Sequence, residues 1–471
     1  MPARAPRAAV PLLALLAAAT ACSAGTEPPA TPRGDRPSTP PVTTSRPASP
    51  SPPQTRTPLA VAHHPSRGRL ALTREQAQAL ADGTVTDWRE LGAGPAPLRL
   101  GSLDDVRADR DAVAVLPAAG LGPAVAVARV DGIDPLRNPA AYPLGTAGPE
   151  PPAVTTVTVG GDVMMGRRVG ARLAAEGDPA AALRPLAQRL AAADLTVVNL
   201  ESTLSRSGAP RQGGDSFGAS PAVRQALRVA GVDVVSLANN HTGDYGPRAL
   251  VQTVRRVRAG GFEPLGAGAD LAGAAAPVVV ERNGVTFGLV AFDAIGETPA
   301  ATATRPGALR VRMQPRTGPL NQRDLARVTG TVGDLRASVD VVMVLAHWGT
   351  QYTHDTVRDQ RRVARALVDA GADVVVGGHP HWVQGVEVVD GSFVAYSLGN
   401  LVFDMDFMAQ TQEGVLLELA FWGDELKGAR LAPYVIGGDF APRLARGSRG
   451  DAILGDVWRA SGRPLRGTHA P

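Results

Sequence analysis

The chain is short of cysteine, lysine, aromatic rings and net charge, and each shortage closes off a class of protein. Cys22 is the one cysteine in 471 residues, so no intrachain disulfide framework exists and no thiolate cluster can hold a metal. Aromatic residues make up 4% of the chain and Lys427 is its single lysine, which reads as coding bias. The net charge is only +4, and residues 1–58 supply all of it: six arginines there face Glu27 and Asp35. Beyond them basic and acidic residues balance, so the pI near 9.7 implies no basic face and no nucleic-acid partner. No apolar run is long enough to span a bilayer comfortably. What is abundant excludes more: 44% apolar residues with 53 glycines and 41 prolines fit neither a coiled coil nor a fully disordered chain.

The N-terminus has its own grammar. Arg4 and Arg7 precede an apolar run from Ala8 to Ala19, and Thr20-Ala21-Cys22 follows. This is the order of a secretory signal peptide, residues 1–22. Small residues before the lone cysteine resemble a bacterial lipobox, which implies cleavage before Cys22, diacylation of its sulfur and a stable lipid anchor on the extracytoplasmic face of the cell membrane. An ordinary signal peptide with an incidental cysteine is the plainer alternative. Residues 23–58 are rich in Pro, Ser and Thr, with 11 prolines from Pro28 to Pro58, and read as a disordered tether.

Residues 59–148 form a small mixed α/β segment. Thr73 is placed to cap a helix with Ala77, Leu80 and Ala81 on its apolar side, and Gly83 ends it before Trp88. The stretches "LTREQAQALADGTVTDWRELG" and "DAVAVLPAAGLGPAVAVARVDGIDPLRNPAAYPL" resemble two parts of the phosphate-type periplasmic substrate-binding proteins, here brought into a shortened, half-sized domain. A spacer or docking module and a ligand-binding module both fit that reading.

Residues 154–440 alternate β-branched runs with Ala/Leu/Arg-rich helical stretches, the pattern of a layered α/β domain. Several strands are apolar throughout, as strands covered on both faces are. Strand-rich sequence runs from Val383 to about Ile436, and residues 441–471 read as a polar tail.

The polar residues of this domain gather at strand ends. Five predicted strands run into Gly160-Gly161-Asp162, Asn199-Leu200-Glu201, Asn239-Asn240-His241, His347-Trp348 and Gly378-His379-Pro380-His381. In α/β sheets the carboxyl ends of strands gather on one side, where ligands bind. One aspartate after a strand is usually a helix cap and one histidine is usually structural; five such ends in sequence order point to a metal site. Four of the eight histidines lie in these motifs. Asp, Glu, Asn and His without thiolate suit Mn, Zn, Fe or Mg.

Together, "GDVMMGR", "VNLES", "ANNHTGDYG", "AHWGTQY" and "GGHPHWVQGVEVVDGSFVAYSLGNLVFD" resemble the CapA-type capsule biosynthesis proteins, associated with poly-γ-glutamate, within the calcineurin-like metallophosphoesterase superfamily. The resemblance covers residues 154–440. It implies a two-sheet β-sandwich flanked by helices and a site for one or two divalent ions. By position, Asp162 is the first ligand and Glu201 stands where a bridging carboxylate is expected, with Asn199 the second candidate. Asn240 ligates through its amide oxygen, and His347, His379 and His381 through imidazole. His241 is the general acid or the donor to a phosphoryl oxygen. Met164 stands where the first motif carries histidine, leaving one ion a nitrogen ligand short, and Ala238-Asn239 replace the glycine before Asn-His. Arg167 is a candidate for pairing with substrate anions, and Tyr245 and Trp348 for lining the cleft.

The activity so implied is that of a metal-dependent hydrolase or transferase acting on an anionic surface polymer such as poly-γ-glutamate, beside other capsule-synthesis proteins. The alternative is a non-catalytic polymer-binding or export factor with a structural metal. No nucleotide motif is visible, which argues against ATP-driven synthesis by this chain alone.

Overall fold

The computed structural model describes residues 56–462 and Leu465, all within one compact unit, Gln54–Pro471. The expected signal peptide, Cys22 and nearly all of the expected tether lie outside the described residues. Among the described residues no helix is long and apolar enough to cross a membrane.

Two sheets form the centre of residues 154–444. In the first, strands Glu263–Leu265, Val234–Ser236, Leu195–Leu200 and Val154–Val163 run parallel; Glu413–Trp422, Glu425–Ile436 and Pro442–Leu444 extend it antiparallel. In the second, Val285–Asp293, Val341–His347, Val374–Gly378 and Ser392–Ala395 run parallel, with Val278–Arg282 and Val386–Val389 as antiparallel edges.

Side-chain alternation shows how the sheets stack. On Val341–His347, Val341, Met343 and Leu345 join one apolar cluster, while Val342, Val344 and Ala346 join another. The first cluster also takes Val157, Val159, Leu195, Val197, Leu417 and Leu419 from the other sheet, so it is the layer between the sheets. Helices cover the outer faces. Arg167–Glu176, Arg184–Ala191, Arg224–Val229 and Gly246–Ala259 bury Val169, Leu190, Leu227 and Leu250 against the first sheet. Gln322–Arg336 and Arg358–Asp369 bury Val328, Val332, Val363 and Leu367 against the second. The uniformly apolar strands are thus explained: each has two dry faces. The expected helix-flanked two-sheet sandwich is the observed architecture.

A smaller sheet, built around Arg56–His63 and Ala112–Pro117, forms the N-terminal lobe. Thr73 caps the helix Arg74–Ala81 in a reciprocal capping box with Gln76, as its spacing predicts. The lobe rests on the first sheet: Ala60, Ala62 and Val106 share an apolar cluster with Ala420 and Trp422. Trp422 Nε1 donates to the Leu136 carbonyl at 2.9 Å, and Lys427 Nζ to that of Ala119 at 2.6 Å.

Two boundaries differ from the sequence reading. Residues 56–58, assigned to the tether, are already strand, paired with Gly145–Ala147. Thr57 and Pro58 look like linker composition, but a short edge pairing on one side tolerates proline. Residues 441–471, read as a polar tail, contain the strand Pro442–Leu444 and the helix Gly447–Ala460. That helix buries only Gly450, Ile453, Leu454 and Val457, a stripe too narrow to stand out among its charged residues and glycines. Ile453, Leu454 and Val457 nonetheless complete the layer between the sheets.

Candidate metal centre

The carboxyl ends of the parallel strands of both sheets meet, and the polar strand ends converge there. Asp162 leaves Val154–Val163, Asn199 and Glu201 leave Leu195–Leu200, and Asn240 and His241 follow Val234–Ser236 from the first sheet. His347 ends Val341–His347, and His379 and His381 follow Val374–Gly378 from the second. All eight are buried.

Glu201 is the hub. Ligand atoms of Glu201, His347 and His379 lie within 4.8 Å of one another, and so do those of Asp162, Glu201 and His381. Both Glu201 carboxylate oxygens, and both ring nitrogens of His379, are buried without a hydrogen-bond partner. Such orphaned groups are costly in a dry interior, and their donor chemistry fits a divalent cation. Asn240 Oδ1 lies 2.8 Å from His347 Nε2, so the amide oxygen belongs to the first group of three. The residues present therefore fit one or two divalent ions, with Glu201 common to both positions. Met164, which stands where the first motif carries histidine, is fully buried in an apolar cluster, and its sulfur accepts from the Gly166 amide at 3.1 Å.

A second ring of amides holds these ligands. Asn199 Nδ2 donates to Asp162 Oδ1 at 2.8 Å, and Asn239 Nδ2 donates to Asn199 Oδ1 at 2.9 Å. The His379 backbone amide donates to Asp162 Oδ2 at 3.0 Å. Asn400 Oδ1 sits 2.9 Å from His381 Nδ1, which fixes that ring with its other nitrogen free. His379 has φ of 94° and His381 59°, unusual for non-glycine residues and a mark of a constrained site.

Electrostatics prepares the imidazoles for metal. Burial holds His347 and His381 below the ordinary histidine range and His379 well below it, which favours the neutral imidazole that can ligate a metal. Burial, then the neighbouring Glu201 charge, pushes Asp162 up to about 6. Burial raises Glu201 as well.

His241 is built differently. Its Nδ1 donates to Asp244 Oδ2 at 2.9 Å, and its Nε2 faces Glu201 Oε1 at 3.7 Å. Burial opposes its charge, but the Asp244 hydrogen bond and the Glu201 charge outweigh that and raise it. Phe217 stacks on the ring at 3.6 Å between centroids. Asp244 in turn accepts from the Phe217 amide at 2.6 Å.

Arg167 lies at the rim. Its guanidinium is engaged by the buried Asp404, sits 3.2 Å from the exposed Asp215, and lies over the Phe217 ring. Tyr352, Phe407 and Arg168 line the same opening. Trp348 is core: it is fully buried and donates to the Tyr396 carbonyl at 3.0 Å. Tyr245 packs over Gly218. Asp244 and Asn239 are the positioning groups that residue types alone did not single out. The spacing His241 to Asp244, three residues within one turn, is the signal that was available.

One glycine is required by close approach. A Cβ on Gly378 would lie 2.5 Å from Asp162 Oδ1. Gly378→Ala is therefore expected to displace that carboxylate and weaken ion binding ~10–100-fold, the usual cost of disturbing a ligand's support. Titration of the metal-free protein with Mn or Zn, followed calorimetrically, measures it; an unchanged affinity would contradict the geometry.

The family described as "Bacterial capsule synthesis protein PGA_cap" matches residues 156–405. The chain is similar to the PGA biosynthesis protein CapA of Bacillus subtilis, 33% identical over 41% of this chain and 48% of that one. It is similar to the capsule biosynthesis protein CapA of Bacillus anthracis, 31% identical over 56% of this chain and 63% of that one. A probable polyglutamine synthesis accessory protein of Mycobacterium tuberculosis is 31% identical over 54% of this chain and 76% of its own length. The match thus spans about half of the first relative and under two thirds of the second.

Proposed function

The chain belongs to the bacterial capsule synthesis protein family PGA_cap, and from that premise we propose that it is a metal-dependent hydrolase or transferase acting on an anionic capsule polymer of the poly-γ-glutamate type. The observation that carries the reading is Glu201, whose two unpartnered oxygens sit between two sets of ligands. A purely structural metal needs no such shared hub, and it needs no histidine–aspartate pair facing the hub.

Asp162, Glu201, His381, His347, His379 and Asn240 would hold the ions. When bound, these supply polarisation of an anionic or carbonyl oxygen and an activated water. The remaining groups act on the substrate. Hydrolysis of a γ-amide adds water to the carbonyl carbon and breaks the C–N bond, and the departing nitrogen needs a proton. His241 Nε2 is positioned to give it, and Asp244 holds the opposite nitrogen protonated so that the ring stays oriented. Arg167 exchanges the exposed Asp215 for an acidic side chain of the polymer, while Asp404 keeps the guanidinium in place. The Phe217 ring links the two, lying between Arg167 and His241.

The same reading places the protein outside the cytoplasmic membrane, lipid-anchored through Cys22, where a capsule polymer emerges. It also assigns residues 23–55 to a spacer between that anchor and the folded part.

Incubation of the Mn- or Zn-loaded protein with poly-γ-glutamate, followed by chain-length analysis, tests the activity. Metal-dependent shortening of the polymer or transfer of its ends is expected. Turnover of a chromogenic phosphodiester alone would contradict the polymer assignment, and no turnover of either by the loaded protein would contradict the enzymatic one.

A further inference from the structure

A second polar constellation lies far from the strand ends, where the N-terminal lobe meets the first sheet. It surrounds a cavity of about 260 Å³. Arg69, Arg129 and Arg137 line it from the lobe, and Arg189 and Arg430 from the sandwich. Two carboxylates share the space. Glu418 lies 2.7 Å from Arg189 and 2.6 Å from Arg430, and Asp134 lies 3.7 Å from Arg129 and 3.5 Å from Arg430. Five guanidinium groups against two carboxylates leave three positive charges in excess. No acidic group among the described residues pairs with Arg69 or Arg137, and Arg137 Nη2 is buried with no hydrogen-bond partner.

A cluster that served only to join the lobes would balance its charges, because an unpaired desolvated cation opposes folding. Here burial, followed by the Arg430 charge, lowers Arg69, Arg129 and Arg137 together. The guanidinium fork suits carboxylate and phosphate alike. Two further features narrow the choice. Leu70, Leu136, Leu431 and Trp458 add apolar wall, which suits an aliphatic stem. His63 also lines the cavity: its Nδ1 lies 3.1 Å from the His64 carbonyl and must donate to it, and its Nε2 is buried without a partner. Burial lowers His63 to about 4, so that nitrogen is a free acceptor. The cavity thus offers unsatisfied donors to acid groups and an unsatisfied acceptor to an N–H.

We propose that this cavity binds a short organic polyanion bearing carboxylates, an aliphatic stem and an amide N–H: the chemistry of a γ-linked glutamyl segment, held away from the metal centre. The choice of glutamyl segment rests on the capsule reading above; the anion site does not. Such a site would grip the polymer while the strand-end centre works on another part of it, and the overall affinity would exceed that of either contact alone.

Calorimetric titration of the purified full chain with γ-linked triglutamate and, separately, with inorganic phosphate tests this. Triglutamate is expected to bind more tightly than phosphate, and less tightly at high salt. Arg137→Gln and the exposed-rim variant Arg69→Gln should each weaken binding about tenfold or more, the usual loss for a charge-assisted hydrogen bond. Asp162→Asn should leave the arginine-dependent part of the binding unchanged. Thermal melts of the ligand-free Arg137→Gln protein, in which Glu418 keeps its ion pairs to Arg189 and Arg430, separate lost binding from lost folding: a folded variant with a cooperative melt is expected. Triglutamate binding indifferent to both arginine variants but lost in Asp162→Asn would overturn the second site and leave the capsule reading standing. Arginine-dependent binding of phosphate with none of triglutamate would overturn the glutamyl assignment, and no binding of either would overturn the site.

Discussion

Glu201→Gln is expected to abolish metal binding and turnover while leaving the metal-free protein at least as stable as the wild type. The carboxylate is fully buried, both oxygens lack partners, and Asp162 nearby carries the same sign of charge. In the absence of cations burial opposes its charge and raises its pKa. A glutamine removes the charge and keeps the shape. The metal-free variant should therefore melt at or a few degrees above the metal-free wild type. Added metal should invert the order: ions at about a thousand times their dissociation constant stabilise the wild type by ~4 kcal/mol and the variant by little. Thermal melts of both proteins with and without Mn or Zn give the four values needed. A variant that melts well below the metal-free wild type would mean that Glu201 serves the fold.

Asp244→Asn should separate chemistry from metal binding. Asp244 is absent from both ligand groups, so ion content should stay at the wild-type level. Its Oδ2 accepts from His241 Nδ1 and from the Phe217 amide, and the variant loses the negative charge that supports the protonated ring. Loss of general acid function costs ~10²–10⁴-fold in kcat. Asparagine keeps one oxygen for those two donors, so the loop should hold. His241→Gln should fall by a similar factor, and the double variant little further, because the two residues act as one unit. Independent, multiplying losses would show that Asp244 acts through something other than His241.

The legible part of this protein was its alternation. Val341–His347 reads as strand from its β-branched run, and its burial on both faces follows from the absence of polar positions. The convergence of the candidate ligands was legible for a related reason: Asp162, Glu201, His347, His379 and His381 interrupt or follow apolar strands at their carboxyl ends, where the topology must gather them. The supporting residues were less visible. Asn239 and Asn400 are ordinary turn residues by composition, and only the long-range contacts to Asn199 and His381 give them a role. The helix Gly447–Ala460 was missed because three apolar residues suffice when the surface they cover belongs to a distant part of the chain. The arginines around the lobe-interface cavity are scattered from Arg69 to Arg430, and nothing in their spacing announces that they face one another.

The central claim is that the strand-end cluster is a metal centre with Glu201 common to two positions. Metal content of the full chain, purified without chelator, tests it most directly by elemental mass spectrometry. The account predicts two equivalents of a divalent ion such as Mn, Fe or Zn in the wild type. A chain that carries essentially none, and takes up none when Mn, Fe or Zn is added, would contradict it.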